Sequence, residues 1–103
     1  MDIVDMLKKA IQSRLEVEFV YDDLPRVFHP YLLYRAKDQS ILCCGMQVGG
    51  QTSRNDEFPR FSNFHIQKMD SFCVNEIAFK DVDKTFKPDK YQNYDVIEMV
   101  ESR

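Results

Sequence analysis

The chain has no tryptophan, only three glycines, and no apolar run near the roughly 18 residues that span a bilayer. The last absence excludes a helical membrane span. The first short loop that carries glycines, Gly49-Gly50-Gln51-Thr52-Ser53, is far from the Gly-x-x-x-x-Gly-Lys-Ser/Thr pattern that cradles phosphates. Positive charge is not in excess either: 14 basic residues face 17 acidic ones, for a net charge of −3. A general attraction to phosphate backbones is therefore missing, and any nucleic-acid site must be a local patch. The start, MDIVDMLKKA, places acids before its lysines and lacks the basic and apolar regions of a signal peptide, so export is not expected. Cysteines number three, an odd count, and the adjacent Cys43 and Cys44 would point to opposite faces of a strand. No disulfide framework is expected, and reduced thiols fit a cytoplasmic setting. His29, Cys43, Cys44, His65 and Cys73 form no Cys-x-x-Cys or His-x-x-x-His pair, so neither a metal nor a cofactor is expected.

What remains is ordinary globular composition, 44% hydrophobic and 30% charged, in 103 residues. That length makes one domain which buries roughly two thirds of its unfolded surface. Residues 2 to 14 read as a helix. Asp2 caps it, Asp5 sits in the first turn, and Ile3, Leu7, Ala10 and Ile11 make one apolar stripe. At Leu15 the period changes to two: Leu15, Val17, Phe19 and Tyr21 share one face while Glu16 and Glu18 take the other, a strand over 15 to 21 with one wet side. Asp22-Asp23-Leu24-Pro25 is a turn signal.

A second strand spans 26 to 34, interrupted by Pro30, which has no ladder donor and implies an edge, a bulge or a bend. Lys37 to Ser40 turn the chain into a third strand, Ile41 to Val48, whose Gly45 allows close backbone approach. Gly49 to Glu57 should be a surface loop. Phe58, Phe61, Phe64 and Ile66 mark a fourth strand region, and Met69 to Val74 a fifth. Beyond Asn75 the pattern weakens, with Tyr94 to Val100 as a last short strand. Closely spaced strands after one amphipathic helix predict a mainly β domain with one N-terminal α-helix, its five strands bent into a small barrel over about 15 to 80, with residues 81 to 103 as a C-terminal extension.

No residue pairing announces catalysis. Glu16 and Glu18 share a strand face, yet alternating acids on a wet face are usually solvation. A hydrolase using His29 or His65 would need an activated nucleophile that the sequence does not display, so an enzyme is not expected. A polar and aromatic set lies around strands two to four, and it includes Arg26, His29, Tyr31, Gln47, Arg60, Phe61 and Lys68. Guanidinium and ammonium groups offer donors to anions, and aromatic rings offer stacking faces, a combination suited to nucleotide-like ligands or single strands.

The order of Val17-x-Phe19-x-Tyr21, Arg26-Val27-Phe28-His29-Pro30-Tyr31, Gly45-Met46-Gln47 and Phe64-His65-Ile66-Gln67-Lys68-Met69 resembles a WYL domain. Gln47, Gly50 and Ser53 resemble the Gln-x-x-Gly-x-x-Ser loop of a small stand-alone branch of that family. The chain departs from the pattern in two places: Ile41-Leu42-Cys43 stands where the Trp-Tyr-Leu tripeptide would fall, and Lys68-Met69 replaces Arg-Ile. The resemblance implies a short helix before a Sm-like, SH3-type barrel, and a ligand-sensing role of the kind WYL domains have in bacterial transcriptional regulators. It also implies ligand contacts for Arg26 and Lys68, which fall on matching family positions. The expected function is thus a regulatory binding module for an anionic nucleotide-like ligand or short single-stranded nucleic acid. The rival expectation is a protein-interaction module that pairs with a partner or a second copy through a sheet edge.

Overall fold

In the computed structural model the described residues are 2–51, 58–80, 82–84 and 86–100. They form one helix, α1 (Ile3–Ser13), and six strands: β1 (Leu15–Tyr21), β2 (Leu24–Arg35), β3 (Ile41–Gly50), β4 (Arg60–His65), β5 (Asp70–Ala78) and β6 (Asp95–Met99). The Cα radius of gyration, 12.7 Å, matches the roughly 13 Å of a single compact domain of this length.

The helix begins where Asp2 predicts. Its carboxylate accepts from the Asp5 backbone N–H at 2.8 Å, satisfying one of the donors left open at a helix start. It ends at Arg14, in the left-handed region with φ 54°, whose N–H returns to the carbonyls of Ala10 and Ile11. Leu7, Ala10 and Ile11 are buried against the sheet. Arg14 also ties the helix end to the chain just beyond β5, its carbonyl accepting from the Phe79 N–H at 2.8 Å and its guanidinium donating to the Lys80 carbonyl at 2.6 Å.

The sheet runs β4-β3-β2-β1-β5, and β6 pairs with β2 off this path. This corrects the expected five-stranded Sm-like, SH3-type barrel. Among the described residues no ladder joins β4 to β5, so the sheet is open and not closed on itself. The physical reason lies in β2. It is long enough to take β1 along its first half, through Leu24–Phe28, and β6 along its second, through Leu32–Arg35, while β3 lines its other side throughout. The sixth strand thus builds the sheet out from the centre. The chain between β4 and β5 is a short 3-10 turn, Ile66–Lys68, where the sequence suggested strand.

Asp22 and Asp23 both have positive φ, 53° and 62°, the conformation of a two-residue hairpin turn that feeds β1 into β2. Strand two therefore starts at Leu24, two residues before the sequence reading placed it. Pro25 fits inside the strand because the pairing there uses its carbonyl, which accepts from the Gln51 N–H at 2.7 Å. Of the edge, bulge or bend that Pro30 implied, the structure has a register shift between Pro30 and Leu32.

β2 is covered on both faces, with Pro30, Tyr31, Leu32, Leu33 and Tyr34 all buried. On one face Phe19, Phe28 and Phe64 meet edge to face at centroid separations of 5.1 to 5.8 Å. On the other, Tyr31 packs on Phe79 and Phe86 from the C-terminal segment, and its hydroxyl accepts from the Asp83 N–H at 2.9 Å. No helix of the described residues is long and apolar enough to cross a membrane.

Candidate anion-binding site

Direct pairing in a sheet puts opposed side chains on one face. Phe19 opposes Arg26, Phe28 opposes Gln47, and Gln47 opposes Arg60. Arg26, two residues from Phe28, shares its face, so Arg26, Gln47 and Arg60 gather at the end of the aromatic core where β3 leaves the sheet.

Arg26 is only 5% exposed. Its guanidinium lies between two rings, 5.7 Å from the Tyr21 centroid and 5.5 Å from that of Phe64, and it donates to the Tyr21 carbonyl at 3.0 Å. Its Nε has no partner. Burial lowers the Arg26 pKa, Asp22 and Tyr21 pull the other way, and the neighbouring Arg60 adds to the lowering. Gln47 is fully buried. Its amide nitrogen donates at 3.0 Å to the carbonyls of both Gly49 and Gln51, which holds the β3 exit in place, while its Oε1 is left without a donor. A buried donor and a buried acceptor on one sheet face, both unanswered, are uncommon in a settled core.

The other residues of the expected set are placed elsewhere. His29 is on the opposite face, stacked on Phe79 at 4.6 Å, with its Nε2 3.2 Å from Glu16 Oε1, and Glu16 Oε2 accepts from Asn75 at 2.9 Å. Tyr31 is 2% exposed and belongs to the core on that side. Phe61 is 40% exposed, one position along β4 from Arg60, and Lys68 is exposed on the 3-10 turn. The structure thus brings together Arg26, Gln47 and Arg60 and separates the remaining four from them. Ser53 and most of the expected Gly49 to Glu57 loop lie outside the described residues. Sequence reasoning missed Phe64 as one of the two rings that flank the guanidinium; it reaches Arg26 only through the pairing of β3 with β4.

The thiols offer no second chemistry. Cys43 and Cys44 are buried and Cys73 is exposed, and no disulfide links them. Burial pushes the Cys44 thiol up to about 11, from 9.0, and Cys43 well above its usual value. With a pKa of about 11, only about one Cys44 in a thousand is thiolate at pH 8. Ellman's reagent at pH 8 should therefore titrate Cys73 rapidly and the other two only after unfolding; fast reaction of all three in the native protein would contradict this burial. Because the folded pKa of Cys44 is raised, its contribution to stability is intact below pH 9 and is lost as pH climbs from 9 through 11, amounting to about 3 kcal/mol. Urea midpoints should fall across that window, and less steeply in Cys44→Ala.

Among the described residues no three His, Cys, Asp or Glu side chains are grouped to hold a metal ion. No family model, curated protein or solved structure matches the chain. The WYL resemblance therefore rests on its short motifs alone, and with the barrel it implied overturned by the open sheet, its name and its transcriptional role are not carried further.

Proposed function

We propose that the chain is a binding module for an anionic, nucleotide-like ligand or a short single strand, taken up where Arg26, Gln47 and Arg60 meet. One observation carries this reading: Arg26 is buried and, among the described residues, makes no ion pair with a carboxylate and has no partner for Nε. Burying a guanidinium without a directly paired carboxylate is costly, and a bound phosphate or carboxylate offsets that cost with paired, charge-assisted hydrogen bonds. Tyr21 and Phe64 supply ring faces beside the charge, and Gln47 Oε1 supplies an acceptor for a ligand N–H or O–H. The free cysteines fit a cytoplasmic setting.

The test is a thermal-shift series against mononucleotides, cyclic dinucleotides and short single-stranded oligonucleotides at two salt concentrations. A ligand present at a hundred times its Kd stabilises the native state by about 2.7 kcal/mol, which in a domain of this size raises Tm by roughly 10 °C or more. A saturable, salt-sensitive rise with one class is the expected result. No rise with any of them, in folded protein, would sink the reading.

A second reading has its own observation. The open path leaves β4 and β5 as end strands, and they carry the exposed apolar residues Phe61 and Ile77, the latter 58% exposed. Unpaired edges of this kind add strands from other chains. Self-association that rises with concentration and is abolished by Ile77→Lys would favour this reading over ligand uptake.

A further inference from the structure

At the other end of β2, away from Arg26, a groove of about 630 Å³ opens between the β2–β3 turn and the segment that leads into β6. Its volume lies in the range of small-molecule sites. One wall is the turn, closed by the Ala36 N–H to the Ser40 carbonyl at 2.8 Å and the Gln39 N–H to the Ala36 carbonyl at 3.0 Å. The other is the Asn93–Asp95 segment, where the Tyr94 N–H bonds to the Tyr91 carbonyl at 3.1 Å. Both walls are held by their own backbone bonds.

The aromatic lining is fixed as well. Tyr34 is nearly buried, and its hydroxyl accepts from Asn63 at 2.8 Å. Tyr94 meets Tyr34 edge to face at 5.0 Å and meets Tyr91 in the same manner at 5.0 Å, yet is itself 46% exposed. A ring held by two edge-to-face contacts and half exposed beside a groove offers a surface for stacking. The charges on the lining are two cations, Arg35 and Lys37, and one anion, Asp95. Arg35 reaches Asp95 by a single long contact of 3.5 Å, and the pair is largely exposed. One such contact leaves most of the guanidinium fork open, and the lining carries one positive charge beyond its own carboxylate.

We propose that this groove binds a small planar aromatic monocarboxylate, its ring against Tyr94 and its carboxylate between Arg35 and Lys37. The single surplus charge favours a singly charged molecule over a polyphosphate. This site is independent of the Arg26 cluster, since the two lie at opposite ends of one twelve-residue strand.

The experiment is a ¹H–¹⁵N NMR titration of the full chain with 2-naphthoate, with its uncharged counterpart 2-naphthylmethanol and with acetate as controls. Saturable shifts are expected at amides of Tyr34 to Gln39 and Asn93 to Asp95. The alcohol and acetate should each bind about tenfold more weakly or worse, and Tyr94→Ala should weaken naphthoate by about tenfold. Lys37→Glu, at an exposed turn position, should weaken naphthoate but not the alcohol. Equal affinity for the alcohol, shifts confined to residues around Arg26, or no saturable shift at these amides would each overturn the proposal.

Discussion

Gly45→Ala should lose about 3 to 5 kcal/mol of stability, a large fraction of the roughly 5 to 15 kcal/mol that holds a single domain folded. A Cβ at this position would overlap the His29 carbonyl oxygen and come within 3.0 Å of the Tyr31 nitrogen and 3.1 Å of the His29 carbonyl carbon. All three are backbone atoms of β2, the central strand, at the point where its pairing with Gly45 passes into the Pro30–Leu32 bulge. No side-chain rotation relieves such a contact. Either β2 and β3 separate locally, with loss of the ladder bonds there, or the bulge moves and the buried residues after Pro30 shift along the strand. Gly49→Ala is the matched control: its Cβ would meet only the Val27 side chain, at 3.5 and 3.6 Å, which is ordinary contact, and its cost should stay within about 1 kcal/mol. Urea unfolding followed by far-ultraviolet circular dichroism measures both, since the chain has no tryptophan to report on. Equal midpoints for the two variants would mean that β2 and β3 accommodate a methyl group between them.

The same place separates what the sequence reveals from what it hides. Alternation and capping depend on neighbours a few residues apart, and there the sequence reading and the structure agree: Asp2 caps α1, β1 runs from Leu15 to Tyr21, Pro30 marks a bulge and Asp95–Met99 forms a strand. The arrangement of strands depends on who pairs with whom. β6 takes the second half of β2 through partners about sixty residues apart, such as Arg35 and Asp95, and no local pattern encodes that pairing. The expectation of a closed barrel failed for this reason. The site divides along the same line. Residue types singled out Arg26, Gln47 and Arg60 one by one, and cross-strand pairing places these three together. They could not show that Tyr31 and His29 face the C-terminal segment, because Phe79 and Phe86 reach them from beyond the region where periodicity is readable. The groove beside Tyr94 was invisible for the same reason: its walls are brought together by the β2–β6 register.

Arg26→Met should abolish the response to anions while leaving the fold as stable as before, or more stable by about 1 to 3 kcal/mol. The argument is one of opposing costs. The guanidinium gains one hydrogen bond, to the Tyr21 carbonyl, two ring contacts and the attraction of Asp22, with which it forms no direct ion pair. Against these stand the desolvation of a full charge, the repulsion from Arg60, and an Nε with no acceptor. A methionine of similar length keeps the contacts with Tyr21 and Phe64, since sulfur packs well against rings, and removes the uncompensated charge. Replacing poorly compensated buried ions by apolar residues is often neutral or stabilising. If the site is built to hold an anion, the unbound protein carries this cost for the sake of binding, and stability and function trade against each other at one residue. Inorganic pyrophosphate serves as the probe. Tm of the original protein should rise with pyrophosphate and saturate, whereas the variant should start at an equal or higher Tm and stay there. A variant that loses more than about 2 kcal/mol and still responds to pyrophosphate would assign Arg26 to the core and remove it from the site.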